Sequence, residues 1–309
     1  MSIHRPTFSR RILLKGLGAL ALATAFPAPA LSAADPRMRL IPSTGERLPM
    51  VGLGSWTTFN VGGDQQLLDQ CADVIAHFVK AGGRLIDSSP MYGSSQDTIG
   101  YGLNKLGRPG AVFAADKVWT WSVAEGREQI ETSRRKWGIP RFDLLQVHNL
   151  LSWEGHLKTL FAMKAAGDLR YVGITTSDGR RHGELAQVMR TRPLDFVQFT
   201  YNIVDREAEQ RLLPLAMDRG IAVIVNRPFQ QGGLIERLRG RPLPSWADEI
   251  GAGSWAQFIL KFILSHPAVT CVIPATTRVD HVQENVAVAG SVLPDEALRR
   301  RMAAYVRAL

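Results

Sequence analysis

Arg84-Leu85-Ile86-Asp87-Ser88-Ser89-Pro90-Met91-Tyr92-Gly93 opens apolar, as a short buried strand does, and closes in Ser, Pro and Gly, as a loop does. A carboxylate and a phenol stand five positions apart across that junction. Asp87 at the end of a buried strand is costly unless it meets a cation or hydrogen-bond donors, and Tyr92 falls in the loop above it. Two later runs end the same way: Val112-Phe113-Ala114-Ala115-Asp116-Lys117 and Asp143-Leu144-Leu145-Gln146-Val147-His148. Asp, Tyr, Lys and His are thus delivered by successive strand ends. A parallel sheet builds sites in this way.

Outward from that stretch, eight runs read as strands: 50–56, 84–88, 111–117, 142–148, 171–175, 196–201, 222–227 and 269–274. They are nearly continuous apolar runs, the pattern of a parallel sheet buried on both faces. Helical patterns fall between them, clearest at 65–81, 123–137, 153–166, 181–190, 208–219 and 254–265, with a last helix over 295–307. Gly82-Gly83, Gly138-Ile139-Pro140, Gly167, Pro193 and Gly220 close the helices before the strands begin. Ahead of all this, residues 37–50 read as a β-hairpin about the turn Ser43-Thr44-Gly45-Glu46. Eight strands alternating with helices over about 260 residues predict a closed (β/α)8 TIM barrel preceded by a short N-terminal hairpin. A doubly wound open sheet is the rival. It would carry Gly-x-Gly-x-x-Gly after its first strand, and Gly52-Leu53-Gly54 lacks the third glycine. In a barrel, polar residues at the strand ends share one mouth.

The first 34 residues read as a separate segment. Ser9-Arg10-Arg11-Ile12-Leu13-Leu14-Lys15 is followed by an apolar run over 16–26 and small residues at Ala30, Ser32, Ala33 and Ala34. The run is too short to span a bilayer, and the basic, apolar and small-residue sections come in the order of an export signal. The segment resembles a bacterial twin-arginine (Tat) signal, which implies passage of the folded chain through the Tat translocation machinery to the periplasm. Residues 35–309 would then be the mature barrel, with no membrane span of their own. Arg5, Arg10, Arg11 and Lys15, with no acidic residue beside them, take the formal charge from +9 to +5 when the segment is removed. No Lys/Arg block is interleaved with aromatics, so a nucleic-acid partner is not indicated. Cys71 and Cys271 read as two buried thiols; no Cys-x-x-Cys or metal-ligand cluster stands out.

The four polar residues define a chemistry. A tyrosine with a pKa of ~10 is a feeble acid at neutral pH, and a nearby ammonium favours the phenolate and lowers that pKa. Asp87 would keep Lys117 charged by pairing with it, and His148 would hydrogen-bond a substrate oxygen. The set is a proton donor beside a small polar pocket. No strong nucleophile with an adjacent base is present, so acyl transfer is not suggested. Taken singly, Asp87 with Lys117 reads equally as a structural ion pair, Tyr92 as a rim residue and His148 as a core histidine; their joint occurrence favours a site.

Gly52-Leu53-Gly54-Ser55-Trp56, Asp87…Tyr92-Gly93, Lys117, Val147-His148-Asn149 and Ile273-Pro274-Ala275-Thr276 together resemble the aldo-keto reductase superfamily, from about residue 53 to the last helix. The resemblance implies reduction of an aldehyde or ketone by NADPH, with NADH not excluded. Tyr92 is implied as proton donor, Lys117 and Asp87 as the pair that tunes it, and His148 as the group that orients the carbonyl. It further implies that Thr175, Thr176 and Gln198 meet the nicotinamide carboxamide. The Asn226-Arg227-Pro228-Phe229 turn stands where the family stacks a Tyr, with Phe229 or Trp119 left to cover the ring. Thr276 and Arg278 are implied at a 2′-phosphate, Glu284 and Asn285 at the adenine. Ala275 and His281 replace the frequent Lys and Arg. Trp56, Trp119 and Trp121 would line a pocket for an apolar or aromatic carbonyl. Two other readings fit the same residues: a cofactor-binding barrel that senses or stores with little turnover, and a Schiff-base aldolase using Lys117.

Overall fold

The computed structural model describes residues 38–107 and 109–309; the expected export segment lies outside them. A two-stranded antiparallel hairpin comes first, β1 (Met38–Leu40) against β2 (Arg47–Pro49). Its turn is closed by Thr44 and Gly45 N–H donating to the Ile41 carbonyl at 3.2 and 2.8 Å, with Gly45 in the left-handed region at φ +73°. Eight parallel strands follow: β3 (Leu53–Gly54), β4 (Leu85–Asp87), β5 (Phe113–Val118), β6 (Leu144–Val147), β7 (Tyr171–Thr175), β8 (Phe196–Thr200), β9 (Ala222–Asn226) and β10 (Val269–Val272). Each pairs with its neighbour in chain order. Bridges between Val51 and Val272 and between Gly54 and Ala275 join the two ends of the sheet into a barrel.

The glycines at this seam are there for close approach. A Cβ on Gly52 would lie 2.9 Å from the Leu85 carbonyl oxygen, and one on Gly54 would lie 2.8 Å from that of Ile273. Gly52-Leu53-Gly54 is therefore the seam of a closed sheet.

Alternation along the strands sorts the interior. Leu85, Phe113, Leu144, Tyr171, Phe196, Ala222 and Cys271 form one buried apolar cluster inside the barrel, and the hairpin adds Ile41 and Leu48 to it. Two residues further along, the same inward face turns polar at Asp87, Gln146 and Gln198, joined by Lys117 two residues beyond Ala115. The outward residues Ile86, Ala114, Leu145, Val172, Val197 and Val223 belong to the larger core under the helices. So one period-2 pattern yields an apolar base, a polar upper layer and an outer core.

The helix Ser95–Leu106 is one that sequence reading leaves unassigned. Gly100 and Gly102 weaken its propensity by about 1 kcal/mol each relative to Ala. Packing explains them. A Cβ on Gly100 would sit 1.9 Å from the Lys136 carbonyl oxygen, and one on Gly102 would sit 2.6 Å from Ile75 Cδ1. The expected helix over 208–219 is shorter, Leu212–Arg219, preceded by a 3-10 turn at Glu207–Gln210. Both cysteines are free and buried; burial pushes the Cys71 thiol up to about 11. Among the described residues no helix is long and apolar enough to cross a membrane, and no cluster of His, Cys, Asp and Glu is placed to hold a metal.

Candidate active site

Asp87 lines a cavity of about 280 Å³ at the C-terminal mouth of the barrel and is paired there with Lys117, which is sealed from the cavity. Adjacent strands β4 and β5 bring them together. Lys117 Nζ donates to Asp87 Oδ2 and to the Ser88 carbonyl, both at 2.6 Å. Asp87 Oδ1 accepts from Gln198 Nε2 at 2.9 Å and from Gln146 Nε2 at 3.2 Å. Lys117 is 0% exposed and Asp87 2%, so the carboxylate is buried yet fully supplied with donors. Burial disfavours the Lys117 ammonium, but the charge of Asp87 and the nearby Tyr92 oxygen hold its pKa above the ordinary value.

Tyr92 lies over this pair, with Lys117 Nζ 5.0 Å from its ring centroid. From sequence, Lys117 is expected to lower the Tyr92 pKa. In the folded site burial outweighs that pull and Asp87 opposes it, so the phenol is raised above its ordinary value. It is protonated at neutral pH and ready to donate. His148 packs edge-on against it, centroids 5.6 Å apart and planes at 85°. His148 Nδ1 lies 2.8 Å from Ser89 Oγ. Burial first, then the Lys117 charge, push its pKa well below the usual imidazole value, so it is neutral.

The ends of β7, β8 and β9 make the wall. Thr175, Thr176, Gln198, Asn226, Arg227 and Phe229 all line the cavity. Asn226 Nδ2 donates to the Thr176 carbonyl at 3.0 Å and to Gln198 Oε1 at 3.3 Å, while Asn226 Oδ1 accepts from Thr200 at 2.7 Å. Both ends of the Gln198 amide are therefore engaged within the protein. The Thr175 hydroxyl accepts the Asn149 N–H at 3.2 Å. The Thr176 hydroxyl is buried with no partner. Arg227, at φ +51°, crosses the mouth, ion-paired to Asp178 and with its guanidinium 5.6 Å from the Trp56 ring centroid.

The remaining expected residues lie outside this cavity lining. Trp121 is 81% exposed and Trp119 is pinned by its backbone to Gln129, so Trp56 alone of the three tryptophans lines the cavity. Past β10, Thr276 accepts the Arg278 N–H at 3.1 Å, and Arg278 Nε donates to Asp280 at 3.0 Å. That pairing holds the Asp280 carboxyl down at about 2. Glu284 accepts from Ser254, and Asn285 is buried. Three functional candidates escape sequence reading. Gln146 was detectable, since it sits two residues after the inward Leu144 on the same face of β6, in the run that ends at His148. Ser89 and Asp178 carry no sequence signal, because their partners come from other strand ends.

Known proteins share the sequence pattern and the fold of this chain. The Aldo/keto reductase family model matches residues 50–305. The methylglyoxal reductase YeaE of Escherichia coli is 30% identical over 268 residues, covering 82% of this chain and 89% of that protein. An NADH-specific methylglyoxal reductase of the same organism is 27% identical over 248 residues, covering 68% and 73%. A Klebsiella pneumoniae aldo-keto reductase crystallised with NADPH superposes with TM-score 0.70 at 22% identity, covering 85% of this chain and 92% of the other.

Proposed function

The chain belongs to the aldo/keto reductase family, and from that premise we propose that it reduces the carbonyl group of a small aldehyde or ketone at the expense of NAD(P)H, with Tyr92 as the proton donor. The observation that carries the reading is the buried Lys117–Asp87 pair beneath a protonated Tyr92 and a neutral His148. The residues fit a nicotinamide. The buried, unpartnered Thr176 hydroxyl lies on the cavity wall beside the Asn226 amide, where a ligand amide finds a partner. Thr175, Thr176, Asn226, Arg227 and Phe229 would hold that end of the cofactor, and Thr276, Arg278, Glu284 and Asn285 its adenosine end.

Hydride for the carbonyl carbon would come from the cofactor held by these residues. Tyr92 gives its proton to the carbonyl oxygen. The Lys117 ammonium stabilises the phenolate left behind, which falls in a low-dielectric site where such attraction is strong. Asp87 keeps that ammonium charged. His148, being neutral, hydrogen-bonds the same oxygen and aims it. Arg278 suits a 2′-phosphate, which supports NADPH; its existing partner Asp280 must then share the guanidinium. Two relatives named as methylglyoxal reductases make a small 2-oxoaldehyde the first substrate to try.

The test is NADPH and NADH consumption by the purified chain over a panel of aldehydes, ketones and quinones, beside Tyr92→Phe. Turnover lost in the variant supports the reading; cofactor binding without any turnover supports a cofactor-holding barrel, which the hydrogen-bonded, non-aromatic Asn226 favours. We also read residues 1–34 as a twin-arginine export signal placing the barrel in the periplasm. Arg10-Arg11, the apolar run and the small residues after it support this. Replacing both arginines by lysine should keep the chain in the cytoplasm on cell fractionation; unchanged export would refute it.

A further inference from the structure

We propose that Ser89 is a positioning residue that fixes the tautomer of His148, donating its hydroxyl proton to Nδ1 so that Nε2 carries the N–H offered to the substrate oxygen. The inference rests on the reductase reading for its purpose, but its evidence is a count of hydrogens. Ser89 is fully buried. Its Oγ has two partners among the described residues: the Met91 N–H, 3.2 Å away, and His148 Nδ1, 2.8 Å away. Met91 N–H can only donate, so it occupies one lone pair of Oγ. If Nδ1 also carried a proton, Oγ would accept twice and its own hydrogen would be left buried with no acceptor. That arrangement is penalised by the desolvation of an unsatisfied donor. If Nδ1 is bare, Ser89 O–H donates to it and every group is satisfied.

The other ring nitrogen completes the reasoning. Nε2 has no partner among the described residues and is not sealed from solvent, and His148 lines the cavity. A neutral imidazole carries one N–H. With Nδ1 accepting from Ser89, that N–H is on Nε2, where it can donate to a carbonyl oxygen. With the opposite tautomer, Nε2 would present a lone pair and repel that oxygen. The edge-on contact with Tyr92 and the Ser89 bond together hold the ring plane. Ser89 sits two residues beyond Asp87 and three before Tyr92, so one short loop supplies the proton donor and sets the protonation of its neighbour.

The test is ¹⁵N NMR of histidine-labelled full-length chain, with the His148 ring signals assigned by their loss in His148→Gln. The expected wild-type pattern is a protonated Nε2 and an unprotonated, hydrogen-bonded Nδ1. In Ser89→Ala the Nδ1 signal should move to the position of a nitrogen without that donor. In the same variant kcat/KM should fall roughly tenfold, the worth of about one buried hydrogen bond, with NADPH Kd changed less than twofold. A wild-type His148 protonated at Nδ1 overturns the proposal, as does an Nδ1 signal unmoved in Ser89→Ala. If the wild type reduces no carbonyl, the reductase reading fails, while the NMR arm still decides whether Ser89 sets the tautomer.

Discussion

Breaking the Lys117–Asp87 pair from either side should destabilise the barrel far more than removing both partners. The ions meet at 2.6 Å with side-chain exposures of 0% and 3%. In Lys117→Met, Asp87 keeps a buried charge with only the Gln146 and Gln198 amides to answer it. In Asp87→Asn, the Lys117 ammonium keeps the Ser88 carbonyl and loses its counter-charge. Removing one partner of a buried pair typically costs about 3–5 kcal/mol, whereas replacing both is close to neutral. Each single variant should therefore lose about 3–5 kcal/mol, and the double variant should recover at least about 2 kcal/mol of their sum. At roughly 2–4 °C per kcal/mol for a barrel of this size, each single change lowers Tm by roughly 6–20 °C. Urea unfolding of the four proteins closes the double-mutant cycle. Additive losses would refute the claim that these two charges answer one another in the folded site.

Tyr92→Phe should keep the fold and cofactor Kd while lowering kcat/KM by roughly 10²–10⁴, the usual worth of a positioned proton donor; a fall under tenfold would move the proton to another group. Because burial raises the Tyr92 pKa and lowers that of His148, kcat/KM for reduction should show no inflection from either group between about pH 6 and 9; an inflection there that vanishes in Tyr92→Phe or His148→Gln would contradict the stated protonation. Asp116 sits behind the site, and burial pushes its carboxyl up to about 7. Lys117 and the donors Gln96 and Trp137 oppose that rise. Its folded pKa is raised, so the folded state holds the proton longer than the unfolded chain. The resulting stability is complete below about pH 4 and is lost as pH rises through about 7, by a few kcal/mol at most; Asp116→Asn should flatten that slope in urea unfolding against pH. Gly100→Ala, whose Cβ would meet the Lys136 carbonyl at 1.9 Å, should destabilise by about 1–3 kcal/mol, although alanine is the better helix former.

The strand ends Asp87, Lys117 and His148 were legible because an apolar run that stops at a charged or polar residue is a local pattern. So was the barrel, since the eight alternations repeat along the chain and the hairpin announces itself by Gly45. The helix Ser95–Leu106 was hidden because its glycines answer to Lys136 and Ile75 on other helices, a demand no local propensity carries. The net direction of the Tyr92 pKa was hidden too. Sequence supplies the nearby cation, while burial is a property of the folded site. The same division explains Ser89 and Asp178, whose partners His148 and Arg227 come from distant strand ends. What the residues determined by themselves was which chemistry each strand would deliver. The tertiary structure alone decided which groups meet, which are dry and which hydrogen faces the mouth, because dielectric and hydrogen-bond direction depend on contacts between segments far apart in the chain.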